Sequence, residues 1–363
     1  MTRSMLRTLT SGVAVVVLFA AAPNADATTR YVADTGSDGP SCGISLATAC
    51  RSISQAVELA NPGDTILVGP GRYGDLNRNG TLGEPGEELG YLTPPASCSC
   101  VLRIEKRVII ISSGGAAVTM IDGRSVDVIQ NVFLTSSAGG EFGRPGKGFT
   151  VTETAVRDGL RYTGHGIVLD SANELVRGNQ VVFARRDRFS EGVGILTVNN
   201  SPIRIEGNQV IGWETGISGR GAATVSKNQV WHNENGMVAT GGKVIGNVAT
   251  ANLIGIIATG SAQVTGNAVY SNGIDNVDGA GIIVNAPFSG LITKNNLFGN
   301  PFGSFNCGLE NNGVIGLTAT NNYWGVATGP GAPPADNVCN FSGGTTTTSP
   351  SATKPFPVKP LKP

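Results

Sequence analysis

The sequence predicts an all-β solenoid, a parallel β-helix of short strands, and three observations lead there. A Gly-plus-apolar pair occurs seven times, at Gly166-Ile167, Gly194-Ile195, Gly216-Ile217, Gly236-Met237, Gly255-Ile256, Gly281-Ile282 and Gly308-Leu309. An Asn follows each pair by 11–14 residues, at Asn179, Asn208, Asn228, Asn247, Asn267, Asn295 and Asn321. Around each Asn, apolar and polar residues alternate, as in Ile203-Arg204-Ile205-Glu206-Gly207-Asn208-Gln209-Val210, which is the period of strands and not of a helix. A repeat of 19–29 residues cannot close a sandwich. It can wind into coils whose Ile, Val and Leu stack inward. The Asn is expected at a tight left-handed corner, with its side chain hydrogen-bonding from coil to coil. The Gly opens the next strand.

Composition agrees with this. The 363 residues include 52 Gly and only 14% charged residues, which suits many turns between short apolar strands. Net charge is zero, so general attraction to nucleic acid is not expected. Residues 1–27 read as a cleaved export signal: Arg3 and Arg7, an apolar run over 13–22 too short to span a bilayer, then Ala25-Asp26-Ala27. A secreted or periplasmic protein follows; its oligomeric state is open, with a monomer favoured. Six Cys in an exported chain predict disulfides, and Cys42–Cys50 and Cys307–Cys339 are the preferred pairs. Cys98-Ser99-Cys100 is an awkward pair, because a bridge over one residue is strained.

The predicted organisation is a β-helix domain over 28–341. It comprises a cap (28–70), irregular early coils (71–163), regular coils (164–325) and a closing segment (326–341). Residues 342–363, rich in Thr, Pro and Lys, are expected to form a disordered tail.

Several stretches resemble the right-handed, single-stranded parallel β-helix proteins of the pectin-lyase-like superfamily, including its carbohydrate-binding and sugar-hydrolase repeats. Besides the repeats, these are Tyr31-Val32-Ala33, the amphipathic stretch 52–60 and Asn61-Pro62-Gly63-Asp64-Thr65-Ile66-Leu67-Val68, which look like its N-terminal cap and first strand. Asn322-Tyr323-Trp324-Gly325 with Gly329-Pro330 resembles a closing motif of secreted β-helices. The resemblance implies a short capping helix at the N-terminal end, where an open solenoid would expose core and strand edges. It says little about activity, since that superfamily holds lyases, hydrolases, epimerases and proteins without catalysis.

Chemistry is fainter. Asp75, Asn77, Asn79, the Thr81 carbonyl and Glu87 resemble an EF-hand or dockerin calcium loop, with Gly80 at the sixth position. The departure is that the twelfth position is Gly86 and the late carboxylate comes one residue after it. In the repeats, the step from Asn to the next Gly is eight in three successive coils, against 15 before them and 14 and 13 after them. Length variation therefore falls at one corner, where loops 183–193 and 271–280 would wall a trough roughly 15 Å long. Glu214 and Glu234 each follow a repeat Asn by six residues, and so should stack on neighbouring coils. Such a pair could serve as acid and nucleophile in glycoside cleavage. Trp213, Trp231 and His232 share these corners and suit sugar faces, while Arg185, Arg186 and Arg188 could meet the carboxylates of an acidic polysaccharide.

Gly164-His165-Gly166 resembles the Gly-His-Gly of polygalacturonases, but their Asn-Thr-Asp and Asp-Asp are absent, and a structural His is favoured. The first functional reading is thus an exported β-helix that binds, and as a lyase or glycoside hydrolase processes, a polysaccharide. A non-catalytic surface or adhesion module is the second. A periplasmic factor like the β-helix maturation proteins of copper enzymes is disfavoured by a chain with two His and four Met.

Overall fold

The computed structural model describes residues 27–90, 98–136, 139–185, 189–273 and 279–358. The export signal therefore lies outside the described residues. The coils contribute short strands to three sheets, here A, B and C, with ten, nine and eleven strands among the described residues, all parallel except Pro301–Phe302, which runs antiparallel to Phe305–Asn312 at the end of C. One regular coil runs Thr224–Ser226 in sheet A, Gln229–Trp231 in B and Asn235–Ala239 in C. The chain is a single-stranded right-handed parallel β-helix, as the repeats predict.

Inward side chains form three columns. Ile66, Ile110, Phe142, Val176, Ile205, Val225, Val244, Val264 and Ile292 line up along A, joined rung by rung through the strand register. Val151, Val181, Val210, Val230, Ala249, Val269 and Leu297 do so along B. Val132, Ile167, Ile195, Ile217, Met237, Ile256, Ile282 and Leu309 do so along C. All are buried in one core. The Gly of each Gly-apolar pair is required by closeness: a Cβ on Gly216 would lie 2.6 Å from the Gly236 carbonyl oxygen, and one on Gly236 2.5 Å from that of Gly255.

The Asn copies form a ladder between A and B. Each donates its main-chain N–H and its Nδ2 to the Oδ1 of the Asn one coil on, at 2.8–3.2 Å, from Asn179 through Asn208, Asn228, Asn247, Asn267 and Asn295 to Asn322. Two details differ from expectation. The left-handed residue is the one before the ladder Asn (Gly178, Gly207, Lys227, Gly246, Gly266, Lys294, Asn321), so the last rung is Asn322 and not Asn321. A second ladder, not anticipated, runs between B and C through Asn233, Asn252, Asn272 and Asn300 and ends on Asp336.

The ends are covered as predicted at one end and differently at the other. Helix Ile53–Leu59, with Ser52 Oγ accepting from the Gln55 N–H, caps the first coil. The tail is not free: Thr346–Thr347 pairs with Leu317–Thr318, and Phe356 exchanges hydrogen bonds with Asn296 through 2.8 and 2.9 Å contacts. It is held because the last coil leaves N–H groups that need partners. Cys42–Cys50 and Cys307–Cys339 are bonded as predicted, and Cys98–Cys100, set aside as awkward, is bonded too.

Candidate functional site

The corner between sheets B and C collects the charged and aromatic candidates. At each regular coil a left-handed residue makes the bend: Gly212, His232, Ala251, Ser271 and Gly299. The next residue points inward, either as a rung of the second ladder or, in the first such coil, as Trp213, whose N–H donates to Asn233 Oδ1. Trp213 is 1% exposed, its Nε1 donates to the Val181 carbonyl at 3.2 Å, and its ring meets Phe183 edge-on. It fills the core where the ladder begins and offers no face to a sugar, which corrects its expected role. His232 is the exposed bend residue itself.

The residue after each rung turns outward, and here Glu214 and Glu234 do stack. The Glu234 N–H donates to the Trp213 carbonyl at 3.0 Å and the Asn235 N–H to the Glu214 carbonyl at 2.6 Å, so the two sit on adjacent rungs. Burial, then the charges of Glu234 and Glu191, push the Glu214 carboxyl above its ordinary value. Facing them is a small side sheet, in which Arg157–Asp158 pairs with Arg161–Tyr162 and the latter with Phe189–Ser190. Arg161 on it is bonded to Glu191 and feels both glutamates. Part of the first predicted wall is thus present, with a contribution from residues 157–162 that sequence reasoning missed. Arg186, Arg188 and residues 274–278 of the second wall lie outside the described residues.

Trp231 is half-buried on the outer face of sheet B. It belongs to a row formed by the third residue after each ladder Asn: Val182, Ile211, Trp231, Thr250, Tyr270 and Phe298. The Tyr270 and Phe298 rings stack at 4.9 Å. Beside it runs a row that begins Gln180, Gln209, Gln229. Registering the repeats by their Asn reveals both rows; only Trp231 was singled out from sequence.

Arg185 is tied to the neighbouring coils. It binds buried Glu153 at 3.0 Å and Tyr162 Oη at 2.9 Å, and stacks over the Tyr162 ring. With Arg72, Arg78, Asp122, Arg124, Ser125 and Ala184 it lines a cavity of about 350 Å³. A larger depression of about 600 Å³ lies at the other corner, between A and B, bounded by Gln180, Gln209, Glu206 and Lys227.

In the calcium-like loop the oxygens serve the loop itself. Asp75 accepts from the Arg78 and Gly80 N–H groups, Asn77 from Asn79 and Asn79 from Thr81. Glu87 Oε1 accepts from Leu76, while its Oε2 is buried without a partner. Among the described residues, Asp75, Glu84 and Glu87 do not bring three carboxylate atoms within 4.8 Å of one another, so a cation there needs the amide and carbonyl oxygens as well. His165, half-buried with Nδ1 accepting from the Val193 N–H, sits in a structural position, and its partial burial lowers its pKa.

A family model described as periplasmic copper-binding protein (NosD) matches residues 102–329, more than half of the chain. The reading disfavoured on His and Met content is therefore the family that matches. The side chains of the described residues nonetheless do not fit copper. Among the described residues the one close group of His, Cys, Asp and Glu ligand atoms is Asp38, Cys42 and Cys50, whose sulfurs are joined to each other. Met237 is core and the Met120 sulfur faces Arg124. Two solved structures show similarity to the chain: the crystal structure of pectate lyase Pel9A (15% identity, TM-score 0.42, 92% of this chain and 80% of that one) and the complex structure of XylC with xylose (9%, 0.41, 81% and 69%). No curated protein matches. No described helix is long and apolar enough to cross a membrane. By its repeats, its three sheets and the span of the family match, the chain belongs to the NosD family of periplasmic β-helix proteins.

Proposed function

We propose that this β-helix binds a polysaccharide along its B–C corner, with Trp231 as a stacking surface and Glu214 and Glu234 as the pair placed to act on it. The observation that carries this reading is the stacking of the two glutamates on adjacent rungs beside a partly exposed Trp. Strands on adjacent rungs are about 4.8 Å apart, close to the roughly 5–5.5 Å carboxyl separation that retaining glycoside cleavage uses. The raised pKa of Glu214 suits the acid of such a pair and leaves Glu234 as the nucleophile. An aromatic face against a sugar ring supplies apolar contact without demanding one fixed sequence of hydroxyls.

Binding and reducing-sugar release are measured on a panel of hexasaccharides, for the wild type, W231A and the E214Q/E234Q double variant. W231A is expected to weaken binding, and E214Q/E234Q to abolish release while retaining binding. Release unchanged in E214Q/E234Q removes the catalytic assignment; binding unchanged in all variants removes the corner altogether.

The same reading keeps the 75–87 loop as a calcium loop that steadies the early coils. Its support is Glu87, 4% exposed with one oxygen unpartnered, beside a fully buried Asp75. An unpartnered buried carboxylate oxygen is costly, and a cation would satisfy it.

A further inference from the structure

We infer that the cavity bounded by Arg72, Arg78, Arg124 and Arg185 is a binding site for an anionic sugar, one carrying a carboxylate or a sulfate. The inference rests on the polysaccharide reading and deepens it, because it names the class of glycan.

Four guanidinium groups line a space of about 350 Å³, and among the described residues the carboxylates that pair with them are two, Asp122 and Glu153. Both carboxylates are buried, at 1% and 0% exposure; Glu153 holds Arg185 from outside the lining, and Asp122, part of the wall, is already engaged by Arg72 and Arg124. Asp122 takes Arg72 Nε at 2.7 Å and Arg124 Nε and Nη2 at 2.8 Å each. Burial alone would raise the Asp122 pKa; the bonds from Arg124 and Arg72 win and hold it well below the usual carboxylate range. Arg72 is tied further to the Leu76 and Asp75 carbonyls, and Arg185 to Glu153, Tyr162 and the Arg124 carbonyl. These arginines are therefore fixed before any ligand arrives, which lowers the ordering cost of binding.

Arg78 differs. It stands on the exposed rim, in a left-handed bend (φ 62°) whose N–H is held by Asp75 at 2.6 Å, and no ion pair of its side chain occurs among the described residues. Ser125 adds a buried hydroxyl without a partner in the same wall. A rigid set of forked donors with an excess of two positive charges fits a planar carboxylate or a sulfate better than any neutral hydroxyl.

Location makes the anion part of a sugar chain. Thr152 pairs with Val182, Val182 with Ile211 and Ile211 with Trp231, so Glu153 and Arg185 precede Glu214 and Glu234 along one edge of the solenoid. Asp122 and Arg124 lie one coil earlier still, since the strand Thr119–Gly123 pairs with Thr150–Thr154. At about 4.8 Å per coil, Arg124 and Glu214 are roughly 15 Å apart along the axis, the length of two or three sugar units.

The test titrates the full chain with hexagalacturonate, a heparin-derived hexasaccharide and cellohexaose; the first two separate carboxylate from sulfate. The wild type is expected to bind one or both acidic probes, more weakly as salt rises. R78A should weaken this about tenfold, as for one charge-assisted contact, and R78E more, with cellohexaose unaffected. Because R124A exposes Asp122 and can unfold the region, the rim variants R78A and R78E carry the decision. Acidic probes that do not bind, or that bind R78E as tightly as wild type, overturn the site. If cellohexaose binding falls in W231A and R78E changes nothing, the cavity is refuted while the corner stands. If R78E abolishes acidic binding and W231A and E214Q/E234Q leave it intact, the cavity stands and the corner falls.

Discussion

Single residues act here by position in a column more than by their own chemistry. Trp213 and Asn233 occupy equivalent places on successive coils, and the same place buries an indole in one and an amide in the other. Asp336 ends the second ladder, accepting from Asn300 N–H at 3.3 Å and from its Nδ2 at 2.6 Å. Burial outweighs those bonds and pushes its pKa up to about 6. A carboxyl raised above its unfolded value contributes stability that is fully present below that unfolded value and is lost as pH rises through the folded one. The loss here falls between about pH 4 and 6. An amide would continue the ladder without titrating. D336N is therefore expected to melt near the wild-type temperature at pH 4 and to be more stable at pH 8, by about 1–3 kcal/mol for a shift of this size. Thermal melts of both proteins at the two pH values decide it; equal melting at pH 8 would show that no buried charge is being carried.

Elements were legible in proportion to how often they repeat. The regular coils can be registered against one another, which places Glu214 over Glu234 from the sequence alone. The same registration held the Trp231 row and the second ladder, whose Asn each follow a first-ladder Asn by five residues, as Asn233 follows Asn228. Arg72, Asp122, Arg124 and Glu153 were not legible. They lie on early coils whose loops differ in length, so no copy fixes their register, and the side sheet at 157–162 has none either. The 75–87 loop was legible as a motif only, since its Asx turns look alike with or without an ion. Calcium added to chelator-stripped protein is expected to give a saturable heat and, near 100-fold excess over Kd, about 2.7 kcal/mol of stabilisation seen as a rise in Tm. E87Q should lose both effects. Identical melting in chelator and in calcium would leave the loop as a self-bonded turn that presents Arg78.

The whole molecule is a stack whose stability depends on what closes its two ends. Composition points to a disordered tail over residues 342–363, because a Thr-Pro-Lys segment has no apolar face to bury. It is held by main-chain bonds, to which side-chain patterns are blind. The Leu317, Ala319 and Asn321 N–H groups donate to Thr345, Thr347 and Pro350, and the Ala352 N–H donates back to Asn322. Phe356 then reaches the sheet B edge at Asn296. Without these partners the last coil would present a row of open donors, a template for pairing with another chain. In a solenoid each coil is steadied chiefly by its neighbours, so a frayed end spreads inward. Ending the chain at residue 343 should therefore lower Tm and promote end-to-end association, while leaving the central coils and ligand binding at Trp231 intact at low temperature. Melting curves and sedimentation velocity over a range of concentrations test this. A truncated chain that stays monomeric and melts with the full one would mean that the final coil closes without its tail.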